Sequence, residues 1–302
     1  MNHKYTIVVI LLSWAQYVFA QADIQYNFYQ QNPVLLNPAT AGKDLDTYAF
    51  INYRYQWAGM DGAPRMATAG ISGALGGQKI NHLPGFAAMV STFKWGTLQD
   101  NSISLAYSHL IAIKKGTYLR FGLSGALSQH SINRSLMRVE NPDQDLLLAT
   151  QFSDDISFSP GFGIAYDSES FVFEAALPRL YDGQRESLFY TGMAYAAYKL
   201  KMEPSKLILM PSVLFHYLEN SPYQVGIGMT GEYAELFWGQ LMYETSGDIS
   251  AGMGLNVEGF RVGYNFELST SVFSNASYGS HEIMLAYRIA KNKFSEYYRR
   301  RK

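Results

Sequence analysis

The residues best equipped for chemistry in this chain are few, and their spacing argues against a catalytic centre. His281 and Glu282 stand side by side in Tyr278-Gly279-Ser280-His281-Glu282-Ile283, which invites a metal or acid–base reading. The alternation around them marks a strand, where adjacent side chains leave on opposite faces, so the two cannot converge on one ion. Asp143, Asp145, Asp154 and Asp155 make one connection acidic, but their spacing departs from an EF-hand calcium loop, and solvated loop charge is the simpler account. The six histidines are dispersed. With no cysteine, neither a thiolate metal site nor a disulfide nor a lipoprotein anchor can form. There is no G-x-S-x-G elbow, no H-E-x-x-H and no P-loop. The expectation is a protein with no catalytic residues, no metal and no cofactor.

What remains is electrostatic. Arg54, Arg261 and Glu282 each fall on the polar face of an alternating stretch. If the last strand closes against the first, Arg54 and Glu282 become neighbours across the seam. Glu282 is then expected to pair with a basic residue such as Arg54 or Arg261.

The elements that would position these charges are strands. In Phe260–Leu268, Phe260, Val262, Tyr264, Phe266 and Leu268 point one way, while Arg261, Gly263, Asn265 and Glu267 point the other. Fourteen such intervals recur, at 47–57, 66–75, 86–94, 102–113, 118–129, 159–167, 171–177, 188–200, 206–217, 223–230, 233–243, 249–255, 260–268 and 281–289. The face opposite the apolar one is rich in Gly, Ala, Ser and Asn and carries only scattered charge. A secreted β-sandwich would need more charge there to stay soluble, whereas a crowded lumen would not. The 23 Tyr and 18 Phe among 302 residues suit interfacial girdles. The reading is an all-β, transmembrane, antiparallel up-and-down barrel of about 14 strands. The net charge of −1 gives no support for nucleic-acid binding.

The organisation follows. Residues 1–20, with Lys4, the apolar run Ile7–Leu12 and the exit Val18-Phe19-Ala20, read as a secretory signal. Residues 21–46 form an extended segment that could plug the lumen or dock a partner, 47–290 the barrel, and 291–302 a basic tail ending Arg299-Arg300-Arg301-Lys302. Alternate connections are tight, such as Lys114-Lys115-Gly116 and Val257-Glu258-Gly259, and the others include long ones at His130–Phe158, Pro178–Ser187 and Thr270–Ser280. Barrels of this kind turn tightly on the periplasmic side, so the parity predicts periplasmic termini.

Three motifs carry a family resemblance. The first is Asn32-Pro33-Val34-Leu35-Leu36-Asn37-Pro38-Ala39-Thr40-Ala41-Gly42, whose Asn-Pro pairs impose a turn-rich path incompatible with a helix. The second is Arg54-Tyr55-Gln56-Trp57-Ala58-Gly59-Met60-Asp61-Gly62-Ala63-Pro64, a reversal in which Gly and Pro serve the turn. The third is Tyr278–Tyr287, containing Ser280-His281-Glu282-Ile283. In this order they resemble the PorP/SprF family, outer-membrane proteins of the type IX secretion and gliding machinery in Bacteroidetes; Arg65-Met66 stands where relatives often carry Thr. The resemblance implies a non-enzymatic barrel that supports secretion or surface attachment of particular cargo with a type B sorting domain. It implies outer-membrane lipid, periplasmic ring components and a peptidoglycan-binding lipoprotein as partners. Docking would fall on Asn32, Pro33, Asn37, Pro38, Gly42, Trp57, Gly59, Gly62 and Pro64. A passive porin or small-solute transporter, and a secreted sandwich that binds glycans or protein, are the alternatives.

Overall fold

A computed structural model describes residues 26–76, 82–132, 156–182, 187–270 and 277–294. The signal, the acidic connection with Asp143, Asp145, Asp154 and Asp155, and the basic end lie outside the described residues. Strands form because the chain repeats a two-residue apolar period between turn residues, and each fills one face of a pleat. In chain order they are β1 Thr47–Tyr55, β2 Arg65–Ala74, β3 His82–Trp95, β4 Leu98–Lys114, β5 Thr117–Ile132, β6 Ile156–Asp167, β7 Phe171–Asp182, β8 Ser187–Tyr198, β9 Leu200–Met202, β10 Leu207–Leu218, β11 Gln224–Tyr233, β12 Phe237–Glu244, β13 Asp248–Val257, β14 Phe260–Ser269 and β15 Ser280–Ala290.

Each strand pairs antiparallel with its sequence neighbours, and β15 returns to β1 with Arg54 opposite Glu282. The three-residue β9 carries β8 onward past Lys199 along the same edge of β10, so the fifteen segments make fourteen staves of one closed barrel. Every interval expected from the alternation corresponds to one stave. Closure leaves no sheet edge unpaired, the condition for strands to cross a membrane.

The direction of the apolar face separates a barrel from a sandwich. On β14, Val262 and Leu268 are 43% and 53% exposed, whereas Asn265 and Glu267 are 0% and 3% exposed. The greasy face points outward and the polar face is buried, the reverse of a soluble sandwich. The same holds on β5, where Leu123 is exposed and Arg120 is buried.

Two expectations change. Pro178–Ser187 is not a long connection, because β7 runs on to Asp182. Register shifts on either side of Arg179 absorb Pro178, since a bulge spares the ladder bond that proline cannot donate. The Asn-Pro motifs do form helix, though only one 3₁₀ turn each: η1 Pro33–Leu35 and η2 Pro38–Thr40. Proline sits at the first helical position of both, where its missing N–H costs nothing.

β1 begins and β15 ends at the rim that carries the tight turns, with Thr47 opposite Ala290. The described chain starts elsewhere. Tyr26 bonds Thr68 and Asn27 bonds Glu267, both near the strand ends at the other rim, where the long connections lie. From there residues 26–46 descend through the lumen into β1.

A lipid-facing charge tests this arrangement. Leu105 on β4 is 63% exposed on the outer face, and Leu105→Arg should destabilise the barrel by about 2–4 kcal/mol if it sits near the bilayer midplane. Its neighbour Ser104 faces inward, and Ser104→Asn should leave the melting of the heat-modifiable band unchanged. Equal effects of the two substitutions would contradict the assigned faces.

Candidate functional site

The polar interior of the barrel and the segment from Tyr26 to Asp46 form one network. Its centre is Arg54 on β1, whose guanidinium Nη2 lies 2.8 Å from Glu267 of β14 and Nη1 3.5 Å from Glu282 of β15. All three side chains are at most 4% exposed. One cation between two carboxylates leaves an excess negative charge in a desolvated place, a costly state unless other donors reach it. The inner segment supplies them. The Asn27 and Phe28 backbone amides donate to Glu282 at 2.7 and 3.3 Å, and the Asn27 amide side chain donates to Glu267 at 2.8 Å. Gln240 of β12 in turn donates to the Asn27 carbonyl at 2.9 Å. Phe28 packs edge-on against Trp238, with Met284 completing the cluster.

Further along, the segment is stitched to the wall. Gln30 donates to Ser212 at 3.0 Å and accepts from Thr230, and Tyr29 meets Tyr195 edge to face. Burial pushes the phenols of Tyr26 and Tyr29 well up, so both stay neutral, and the Tyr29 hydroxyl accepts from the Gln30 amide at 3.2 Å. Asn32 donates to Asn52 at 3.1 Å. Asn37 caps η2 by accepting from the Ala39 amide at 2.9 Å, and its own amide donates to the Ile164 carbonyl at 3.1 Å. Gly122 and Gly163, paired across β5 and β6, leave the hollow that Asn37, Pro38 and Ala39 occupy; a Cβ on either would strike them. Gly42 has φ +67°, its amide donates to Ser72 at 2.9 Å, and a Cβ there would lie 2.6 Å from the Gly73 carbonyl.

At the tight-turn rim the segment ends in ion pairs. Lys43 meets Glu174 at 2.6 Å, and Asp46 meets Arg288 at 3.5 Å. Arg261 does not join Glu282; its guanidinium bonds Asp44 at 3.0 Å and the Gln31 carbonyl at 3.0 Å. Arg261 sits near the tight-turn end of β14 and Glu267 near the other, so the strand's length separates them. Between the segment and the wall at this rim lies a cavity of about 500 Å³, bordered by Lys43, Asp44, Lys199, Glu232, Arg261 and Arg288.

The two remaining motifs meet at the opposite rim. The chain from Gln56 to Pro64 closes with the Gln56 amide on the Pro64 carbonyl at 2.9 Å. Ala58 and the Tyr278–Gly279 stretch exchange two backbone bonds of 2.8 Å, and the Trp57 amide donates to Ser280 at 3.2 Å. Gly59 has φ +91° beneath the Tyr278 ring, and the Gly62 carbonyl accepts from Gly96 at 2.9 Å. Trp57, Gly59, Gly62 and Pro64 therefore sit on a braced rim, apart from Asn32, Pro33, Asn37, Pro38 and Gly42 inside the lumen. His281 points outward to the Tyr264 hydroxyl at 2.8 Å, away from Glu282. Among the described residues no three His, Cys, Asp or Glu side chains gather as metal ligands.

Sequence reasoning missed Glu267, Asn27, Lys43 and Asp44 as members of the network. Glu267 carried one signal: it shares the polar face of its strand with Arg261.

The family model described as Type IX secretion system membrane protein PorP/SprF matches residues 18–287. No curated protein matches the chain in sequence. Among solved structures, the CymD monoaromatic hydrocarbon channel is similar with a TM-score of 0.50 at 9% identity, covering 91% of this chain and 95% of that one. The outer membrane protein Omp33 of Acinetobacter baumannii matches with a TM-score of 0.46 at 7% identity, over 81% of this chain and 98% of that one. At such identities the first likeness shows the barrel fold alone.

Removing one partner from the central triad exposes its worth. Arg54→Met leaves two buried carboxylates without their cation and should cost about 3–5 kcal/mol, read as a lower temperature at which the folded band converts on a gel. Glu282→Arg alone should also lower it, and Arg54→Glu combined with Glu282→Arg should recover part of the loss. An unchanged conversion temperature in all three variants would show that the triad does not hold the seam.

Proposed function

Because the chain belongs to the PorP/SprF family of type IX secretion system membrane proteins, we propose that it is a non-enzymatic outer-membrane component supporting secretion or surface attachment of a specific cargo protein with a type B sorting domain. The observation that carries this reading is the filled lumen. Residues 26–46 contact staves around the ring, from Thr68 and Ser108 to Glu174, Ser212 and Glu267. A barrel so occupied suits a docking scaffold better than a passive porin, because an open channel would need those bonds broken.

In this reading the tight-turn rim, with the end of β15, faces the periplasm, where ring components and a peptidoglycan-binding lipoprotein of the same system bind. The opposite rim, braced between Gln56–Pro64 and Tyr278–Ser280, faces outward and receives cargo. The Asn-Pro segment acts from within the lumen by filling it, held through Asn32 on Asn52 and Asn37 on the Ile164 carbonyl.

Deleting the gene should abolish export or retention of one surface protein encoded alongside it while other exported proteins remain. Correct export and attachment of all cargo would defeat the proposal. In planar bilayers the purified protein should be silent, and a variant lacking residues 26–44 that still shows heat-modifiable migration should conduct; a stable open pore from the intact chain would favour the porin. The chain has no cysteine, so Asp61→Cys offers one labelling site on the Gln56–Pro64 reversal. A membrane-impermeant maleimide should modify it on intact cells; protection until the membrane is opened would reverse the orientation.

A further inference from the structure

The outer wall carries a feature that secretion does not explain. Across β1–β6, in the half nearer the long-connection rim, the lipid-facing surface is dented by a concavity of about 560 Å³. Ile51, Val90, Ile103 and Leu127 surround it, each more than half exposed. Its cause is local. Ala69 stands in register between Ile51 on one side and Val90 on the other, and Ala67 lies one pleat nearer the rim. Two short side chains in succession on this face of β2, Ala69 of them in a row with the branched Ile51, Val90, Ile103 and Leu127, leave a hollow where a barrel wall is ordinarily convex.

One further pleat toward the rim, Arg65 and Lys94 face each other directly across β2 and β3, both exposed. The Arg65 guanidinium stacks on the Tyr55 ring at 4.7 Å. Among the described residues no carboxylate reaches either cation within ion-pair distance. Like charges directly opposite on paired strands repel, so this juxtaposition is unfavourable unless an anion sits between them. Between the cations and the hollow runs a polar row in register, Thr92, Asn101 and Gln129. From rim to mid-wall the order is cation pair, hydrogen-bonding row, apolar hollow.

That order is the mirror of a phosphorylated glycolipid. We propose that this face binds lipid A, the anionic glycolipid of the outer leaflet, with a phosphate bridging Arg65 and Lys94. Sugar hydroxyls lie against Thr92, Asn101 and Gln129, and an acyl chain fills the hollow over Ala67 and Ala69. Guanidinium and ammonium groups together suit a phosphate, one offering a planar fork and the other a mobile point charge. An interfacial lysine or arginine commonly snorkels to head groups without specificity. Two of them directly opposite each other, above a hollow and with no carboxylate in reach among the described residues, suit one ligand that answers both. The leaflet rests on the orientation proposed above, which the Asp61→Cys labelling reads independently.

Native mass spectrometry of the full-length protein in detergent, titrated with lipid A, phosphatidylglycerol or inorganic phosphate, tests the site. Lipid A should be retained in preference to both. Arg65→Gln with Lys94→Gln should weaken retention about tenfold or more, the scale of losing charge-assisted hydrogen bonds. Ala69→Phe, which fills the hollow and keeps both charges, should also weaken it. All these positions face lipid, so heat-modifiable migration verifies that the variants fold. Equal retention by wild type and the double variant would overturn the proposal. Phosphatidylglycerol binding as well as lipid A would overturn the glycolipid, and inorganic phosphate competing at equal concentration would overturn the amphiphile.

Discussion

A guanidinium buried between two carboxylates sets the terms for the rest of this barrel. Arg54, Glu267 and Glu282 come from β1, β14 and β15, so they meet only when the first and last strands have joined. Their sum is one negative charge with almost no solvent, and desolvated charge is tolerated only where hydrogen-bond donors converge on it. The donors are the backbone amides of Asn27 and Phe28. Seam closure and lumen filling are thus parts of a single electrostatic arrangement, and neither is complete without the other.

The filled lumen then follows a consistent physical logic. A mid-sized barrel has more inward-facing polar surface than its own side chains can satisfy, and the segment from Tyr26 to Asp46 brings amides, carbonyls and charges to meet it. Where the wall must approach the segment closely, glycine stands at Gly122 and Gly163; where charge is exposed to the tight-turn mouth, ion pairs such as Lys43–Glu174 and Arg261–Asp44 form. Between the segment and the wall a cavity remains beside Lys199 and Arg288. The rim where Trp57, Gly59 and Tyr278 meet is braced separately, by backbone bonds between Ala58 and the Tyr278–Gly279 stretch and by the Trp57 amide on Ser280.

Much of the strand pattern was legible because side-chain alternation is local: a two-residue period in Phe260–Leu268 needs no knowledge of the remaining chain. Turn chemistry was equally readable at Lys114-Lys115-Gly116. The reading failed at Pro178, where proline suggested an ending and a bulge carried β7 onward. It also missed that Asn32-Pro33 and Asn37-Pro38 each start a 3₁₀ turn, because proline excludes a helix interior and yet favours a first turn. Within the site, Arg54 and Glu282 were visible as facing charges once closure was assumed. Glu267, Asn27 and Asp44 were not, since their roles depend on a segment crossing the lumen.

By itself the sequence determined which residues face lipid and which face inward, that the staves number about fourteen, and the motif order that marks the family. All of these follow from periodicities and turn types acting over a few residues. Only the tertiary structure decided that Arg261 serves Asp44 while Arg54 serves two glutamates, and that the described chain runs from Tyr26, near the long-connection rim, down to β1. It alone set Arg65 against Lys94 above a hollow. Those outcomes depend on strand register and on the path of a segment through a closed ring, and both are settled by the simultaneous pairing of residues more than two hundred positions apart rather than by any local preference.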